Sequence, residues 1–337
     1  MASFAKFGND LYTGARSINF VGRRKLWYAI AGVMILLSIL LPLARGGFVF
    51  GIEFRGGSEF QVAGVADLGQ DGPRVEAQAL AADTVIGIDA EASPRVSIVG
   101  ADSVRVQTEQ LLPEDSNQAR NALATAFDVD VTSVTASFIG PSWGADITGS
   151  AIRALIVFLA LAAILMALYF RTWKMSVAAI AALVHDIVIT AGVYGALGFE
   201  ITPSAVIGFL TILGFSLYDT VVVFDKIREN TTEDANSSPR TFAGSVNLAV
   251  NQTLVRSINT GVVAALPVAA ILFIGAVVLG AGTLKDIALS LFIGIIVGTY
   301  STIFIAAPIY SQLRENEPAI LAHSKKLEAS RLVSSEK

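Results

Sequence analysis

The stretch GFLTILGFSLYDTVVVFDKIREN, residues 208–230, sets one carboxylate, Asp219, inside a run apolar enough to enter a bilayer, and closes on a cluster of charges. About 20 such residues, at 1.5 Å each, cross the hydrocarbon core. An ionisable side chain near the centre of such a helix costs roughly 2.5–3.5 kcal/mol on insertion scales. It therefore turns toward other protein groups. The reading is decided by how many spans the chain makes and which polar groups they bring to Asp219.

Of 337 residues, 53% are hydrophobic and 15% charged, too apolar for an ordinary soluble globule. Six windows are long enough to span: 26–44, 151–170, 175–197, 203–224, 257–279 and 284–310. The first exceeds the apolar core of a cleavable leader, and no convincing small-residue cleavage pattern stands beside Arg45 and Gly46. It is read as a span. Six crossings put both termini on one side. Arg16, Arg23, Arg24 and Lys25, then Arg171 and Lys174, then Lys226, Arg228, Arg240 and Arg256, then Arg314, Lys325, Lys326 and Arg331 all flank that side. By the positive-inside rule, segments 1–25, 225–256 and 311–337 are expected in the cytoplasm. The short connections 198–202 and 280–283 carry no Lys or Arg, and the long segment 45–150 has no lysine and many acids. That segment is expected outside. Cysteine is absent, which excludes disulfides, thiolate catalysis and Cys-based zinc sites.

The external segment reads as alternating short strands and helices. β-rich runs surround a Gly-Gly break in 48–65, and 74–87 has helical spacing. Two short strands, 95–100 and 103–111, are followed by a helix that opens on Pro113 and acids, and by a closing strand in 130–140. The order βαββαβ predicts a ferredoxin-like α+β domain inserted between the first two spans. It has no His or Cys and its acids are scattered, so a binding or mechanical module is expected rather than an enzyme domain. GIEFRGG, 51–57, is a turn-type glycine pair. Neither GxxxxGK[ST] nor a GxGxxG opening a helix is present for a phosphate loop, and no nucleic-acid partner is expected.

Three spans carry polar groups. The third has His185 and Asp186, with Thr190 and Tyr194 following Asp186 on the same face; the fourth has Ser216, Asp219 and Thr220. At the start of the fifth, Thr253, Arg256 and Thr260 share a face, with Asn259 beside it. Asp219 lies about 9 Å inside the cytoplasmic end of a regular helix, and Arg256 enters from the same side, so the two are expected to face each other as an ion pair. Two readings stay open. A structural pair would pin two helices and set their register. A proton relay would exploit the low dielectric, in which a carboxylate holds its proton more tightly until an arginine approaches; the arginine itself stays protonated. His185 is a lone intramembrane histidine without a metal-binding neighbour, and is read first as a packing residue. The small-residue stripes at 192–196 and 294–298 suit close helix packing. The polar stretch 227–244 is read as a flexible connection, 246–257 as lying partly along the membrane surface, and the residues after Pro318 as a frayed tail.

The segments GFSLYDTVVVFDKIREN (214–230), NQTLVRSINT (251–260) and LKDIALSLFIGIIVGTYSTIFIAAPI (284–309), with GIEFRGG and VHDIVIT (184–190), together resemble the SecF family of bacterial protein-export subunits. The correspondence runs in order through all six spans. The resemblance implies half of a twelve-helix bundle of the resistance–nodulation–division (RND) superfamily, completed by SecD in the bacterial plasma membrane. It implies work beside the SecYEG channel on a translocating preprotein, driven by protons and without a cofactor. It also implies that Asp219 and Arg256 form the proton relay, with Asp186, Ser216, Thr220, Asn259 and Thr260 as a supporting polar core. The family usually has Tyr and Asn where this chain has Phe215 and Tyr218, and Arg where it has Lys226. A proton-driven RND exporter of small molecules or lipids is the alternative, though it normally carries twelve spans and two large external domains in one chain. A membrane scaffold and an intramembrane hydrolase are the remaining classes; the latter lacks a nucleophile with its base.

Overall fold

The computed structural model describes residues 2–66, 68, 71–100, 102–232, 240–275 and 282–335. Parts of three expected features lie outside the described residues: 233–239 of the polar connection, 276–281 at the end of the fifth span and the turn after it, and 336–337 of the tail. Among the described residues, six helices are long and apolar enough to cross a membrane. They are α2 (Arg24–Ala44), α6 (Pro141–Phe170), α7 (Trp173–Leu197), α8 (Pro203–Thr232), α9 (Phe242–Phe273) and the last span, made of α10 (Gly282–Ser301), a π-helical turn (Thr302–Ala306) and α11 (Ala307–Arg314). α7 and the last span are the most buried, whereas α2, α6 and α9 present most of their apolar surface outward, as lipid-facing helices do.

Glycines set how closely the central helices approach. On α10, Gly294 sits against Ile212 of α8, and a Cβ at Gly298 would lie 3.1 Å from Ser216 and 3.6 Å from Asp186. On α7, Gly192 rests on Ser38 of α2, and a Cβ at Gly195 would stand 2.7 Å from Pro42 and Phe48. Without a hydrophobic drive between helices in lipid, this close packing holds the bundle. The α7 helix stops at Gly198, whose φ of +75° lets the Phe199 amide donate back to the Tyr194 carbonyl.

Several boundaries differ from the sequence reading. Helix α6 starts at Pro141, a favoured first-turn proline, so residues 141–150 belong to the span helix and not to the inserted domain. The α8 helix continues past 224 to Thr232. Residues 246–257, read as a separate surface segment, are continuous with the fifth span as the interior of α9. Thr241 caps that helix by accepting from the Gly244 amide, and Val246, Ala249, Val250 and Leu254 are buried in the core. Their apolar face, spaced at helical period, packs inward although the sequence between them is polar. At the amino terminus α1 (Ala2–Thr13) packs Leu11 into the same core. After Pro318 the chain is helical, as α12 (Pro318–Ser335).

Between α2 and α6 the chain forms β1 (Val49–Phe50), a single helical turn α3 (Ile52–Arg55), β2 (Gly57–Ala63), α4 (Asp71–Ile86), β3 (Arg95–Val99), β4 (Ser103–Thr108), α5 (Pro113–Ala126) and β5 (Val134–Ile139). Four strands form an antiparallel sheet in the order β3-β4-β2-β5, with Phe60 opposite Val106 on one side and Ala136 on the other. Alternate residues Phe60, Val62, Val104 and Val106 are fully buried under Ala81 and Val85 of α4 and Ala119 and Leu123 of α5. Strand β1 is absent from this sheet. It pairs in parallel with β6 (Glu200–Ile201), the connection between α7 and α8, and the Gly51 amide extends the ladder to the Ile201 carbonyl at 3.0 Å. The inserted domain is thus rooted on the α7–α8 connection.

Because Ile212 already occupies the space a side chain at Gly294 would need, Gly294→Val is expected to destabilise the bundle by about 1–3 kcal/mol. A lowered thermal unfolding midpoint in detergent would register it; an unchanged midpoint would mean that α10 moves off α8 without cost.

Candidate functional site

The polar groups of the bundle collect along the seam between α8 and the last span. In one layer Asp186 of α7 is fully buried, and its carboxylate accepts a 2.5 Å hydrogen bond from the Ser216 hydroxyl of α8. His185 Nδ1 lies 3.3 Å from the other oxygen, and the imidazole sits beside the Tyr300 ring. Gly298 leaves the room for this contact. Three residues further along α8, about 4.5 Å in rise, Asp219 forms the next layer. The Ser257 hydroxyl of α9 donates to its Oδ1 at 2.8 Å, and its Oδ2 is buried without a hydrogen-bond partner among the described residues. Thr220 meets Thr302 at 3.1 Å, hydroxyl to hydroxyl. Thr302 opens the π-helical turn, a distortion that recurs at functional sites, and also donates to the Gly298 carbonyl.

A third layer lies at the end nearest the inserted domain. The buried Asp286 accepts from the Thr202 hydroxyl at 2.8 Å, while the Tyr194 phenol donates to the Asp286 backbone carbonyl at 2.7 Å. Asp286, Ser290, Gly294, Gly298 and Thr302 recur every four residues, so one face of the last span is small or polar along its length. Outside this end, Arg105 of β4 bridges Glu59 of β2 at 3.8 Å and Glu200 of β6 at 3.9 Å, and Glu53 stands close by. Burial pushes the Glu53 carboxyl above the usual carboxylate range, and Glu59 adds to it. Burial also raises Glu200, against the pull of Arg105.

The expected facing ion pair between Asp219 and Arg256 is not formed. Arg256 is exposed on α9, and its neighbour Ser257 turns to Asp219 instead. Consecutive helical residues point about 100° apart, so only one of the two can face α8. Arg256 remains near enough to act on Asp219 through space. Asn259 is exposed beside it, and Thr260 spends its hydroxyl on the Arg256 carbonyl at 2.9 Å. The structure therefore joins Asp186 with Ser216 and leaves Arg256, Asn259 and Thr260 off the seam. It adds Ser257, Thr302 and Asp286; the last two stand on one four-residue stripe of the last span that the sequence displays, whereas Ser257, among Arg256, Asn259 and Thr260, carries no such signal. Tyr218 points outward, 57% exposed. Among the described residues no group of three or more His, Cys, Asp or Glu is arranged to hold a metal ion.

Six spans around a seam of buried carboxylates, with an α+β domain inserted after the first, define a multi-pass membrane protein whose polar core is enclosed by its own helices. The model of the family described as "Protein export membrane protein SecD/SecF, C-terminal" matches residues 118–316, and the chain belongs to that family. It is 42% identical to the protein translocase subunit SecF of Streptomyces coelicolor, over 98% of this chain and 86% of that protein. It is 41% identical to SecF of Mycobacterium tuberculosis strain H37Rv, over 95% and 72%. The crystal structure of SecDF from Thermus thermophilus, a translocon-associated membrane protein, superposes with a TM-score of 0.74 at 30% identity, covering 89% of this chain and 39% of that one. SecDF in a super-membrane-facing form gives 0.59 at 28% identity, over 94% and 40%. The chain thus spans about two fifths of the SecDF chains, and the bundle is RND-like.

The Glu53 environment gives a pH test. A carboxyl whose folded pKa lies above its unfolded value stabilises the fold fully below the unfolded pKa, and that contribution is lost as pH rises through the folded pKa. Glu53→Gln removes the titration. The variant should match the parent's thermal midpoint near pH 4 and exceed it at pH 8; a gap that is constant with pH would mean that Glu53 ionises freely in the fold.

Proposed function

We propose that the chain is a non-enzymatic accessory subunit of a bacterial protein translocase, which uses the proton gradient together with a SecD-type partner to promote export of preproteins through the SecYEG channel. The observation that carries this reading is Asp219, a carboxylate buried in a membrane bundle with one oxygen held by Ser257 and the other unpartnered among the described residues. Such a group takes up and releases a proton at little structural cost. Each proton crossing 100 mV supplies about 2.3 kcal/mol, enough to bias a change of packing.

The sharing of SecDF between two halves supports a second half-bundle, SecD, beside this one, giving twelve spans of RND type. That half would cover the face of α9 on which Arg256 and Asn259 stand exposed. Approach and withdrawal of Arg256, always charged, would switch Asp219 between release and uptake, with Asp186, Ser216, Thr220, Asn259 and Thr260 lining the core. The inserted domain is read as ferredoxin-like from its strand–helix–strand–strand–helix–strand order and antiparallel registers. It would engage the emerging preprotein. The Lys and Arg distribution supports cytoplasmic termini and an external domain in the plasma membrane. Protons are the coupling ion and no cofactor is assigned.

Asp219→Asn and Arg256→Met should copurify with SecD and the channel at parental levels and abolish the stimulation of preprotein transport that a proton gradient gives in proteoliposomes. Full stimulation by either variant would leave Asp219 a structural group and remove the relay.

A further inference from the structure

At the end of the bundle away from the inserted domain, a cavity of about 800 Å³ opens between the chain entering α2 and the first turn of α9. Its cationic wall is the run Arg23, Arg24, Lys25. Arg24 is neutralised by a two-pronged ion pair with Glu315, the one acid lining the cavity among the described residues. Arg23 and Lys25 are exposed and form no ion pair among the described residues. The facing wall carries Gly244 and Asn247 of α9.

The walls are built rather than loose. Asn247 Oδ1 accepts from the amides of Phe20 at 2.8 Å and Val21 at 3.2 Å. Asn251 accepts from the Ile18 amide at 2.7 Å and donates to its carbonyl at 2.9 Å. Phe20 and Val21 are buried in the bundle core, so the segment before α2 is fixed on α9 by both its backbone and its side chains. The backbone that carries Arg23 and Lys25, two cations without an ion pair among the described residues, is thereby set at one mouth of a preformed cavity.

The depth of the cavity identifies what meets them. Leu26, the first apolar residue of the α2 span, lines it and is half exposed, and Trp27 comes next, packed on Phe304 at 4.5 Å. Arg23 and Lys25 stand three residues and one residue before Leu26, at the edge of the apolar span where the phosphates of lipid headgroups would lie, with Leu26 below to meet the acyl chain. Basic pockets at this level suit anionic headgroups, and a guanidinium beside an ammonium matches a phosphate oxyanion with charge-assisted hydrogen bonds. We propose that this cavity is a binding site for a phosphate anion, supplied by the headgroup of an anionic phospholipid, with Arg23 and Lys25 as its ligands. An occupied site would tie the start of α2 to the start of α9, the helix that carries Ser257 to Asp219. The proposal stands independently of the proton relay.

The test is native mass spectrometry of the full-length chain in detergent, titrated with phosphatidylglycerol, phosphatidylcholine or inorganic phosphate. Phosphatidylglycerol should bind in preference to phosphatidylcholine. Arg23→Ala and Lys25→Ala should each weaken it roughly fivefold, and the double variant roughly 25-fold. Arg23→Lys should keep most of the affinity. Arg171→Ala, at the same end of the bundle but outside the cavity, should leave it unchanged. Each single variant is first checked for a parental thermal midpoint, so that loss of binding is not loss of fold. Undiminished phosphatidylglycerol binding by both single variants would overturn the site. An equal loss in Arg171→Ala would reduce it to diffuse surface attraction, and displacement of the lipid by millimolar inorganic phosphate would make the ligand a free anion and overturn the lipid assignment.

Discussion

A carboxylate inside a bilayer-spanning bundle needs donors from its own protein, because lipid supplies none. The hydrogen bond from Ser216 to Asp186 meets that need and fixes much else. It demands that α7 and α8 touch, and that the last span come in close behind them, which Gly294 and Gly298 permit. With those three helices set, Asp219 falls on the next turn of α8 and Ser257 of α9 comes within reach of it. The outer helices α2 and α6 then contribute mainly surface for lipid.

The number of spans, their order and the strand pattern of the inserted domain were legible because bilayer length and period-two alternation are local properties of sequence. Asp186, Ser216, Asp219 and Thr220 were legible as polar groups in apolar helices. Their partners were not. Arg256 drew attention by its charge, yet Ser257 one residue on faces α8, and helix rotation about its axis is a tertiary outcome that spacing within one helix does not specify. Thr302 stands on the four-residue stripe of Asp286, Ser290, Gly294 and Gly298, so its face of the last span was readable, but that this face meets Thr220 of α8 is again a tertiary outcome. The ladder between β1 and β6 was invisible because each strand is two residues long and the two are far apart in the chain.

Continuity of α9 changes how the two ends of the molecule relate. The sequence reads as a polar connection and then a span, but one helix runs from Phe242 to Phe273. Its first turns are clamped to the segment before α2 by Asn247 and Asn251, and its middle bears Ser257 against Asp219. The same helix therefore holds the segment before α2 at one end and the hydroxyl that meets Asp219 at its middle.

The parallel pairing of Val49 and Phe50 with Glu200 and Ile201 gives the inserted domain its backbone mounting on the bundle. Arg105 of β4 reaches Glu200 in the same connection at 3.9 Å, so backbone and side chain both fasten the domain there. The next residues carry the bundle's third polar layer, because Thr202 donates to Asp286 at 2.8 Å. The footing of the domain and one buried carboxylate of the bundle therefore share a single short connection, and a change in either is a change in the surroundings of the other.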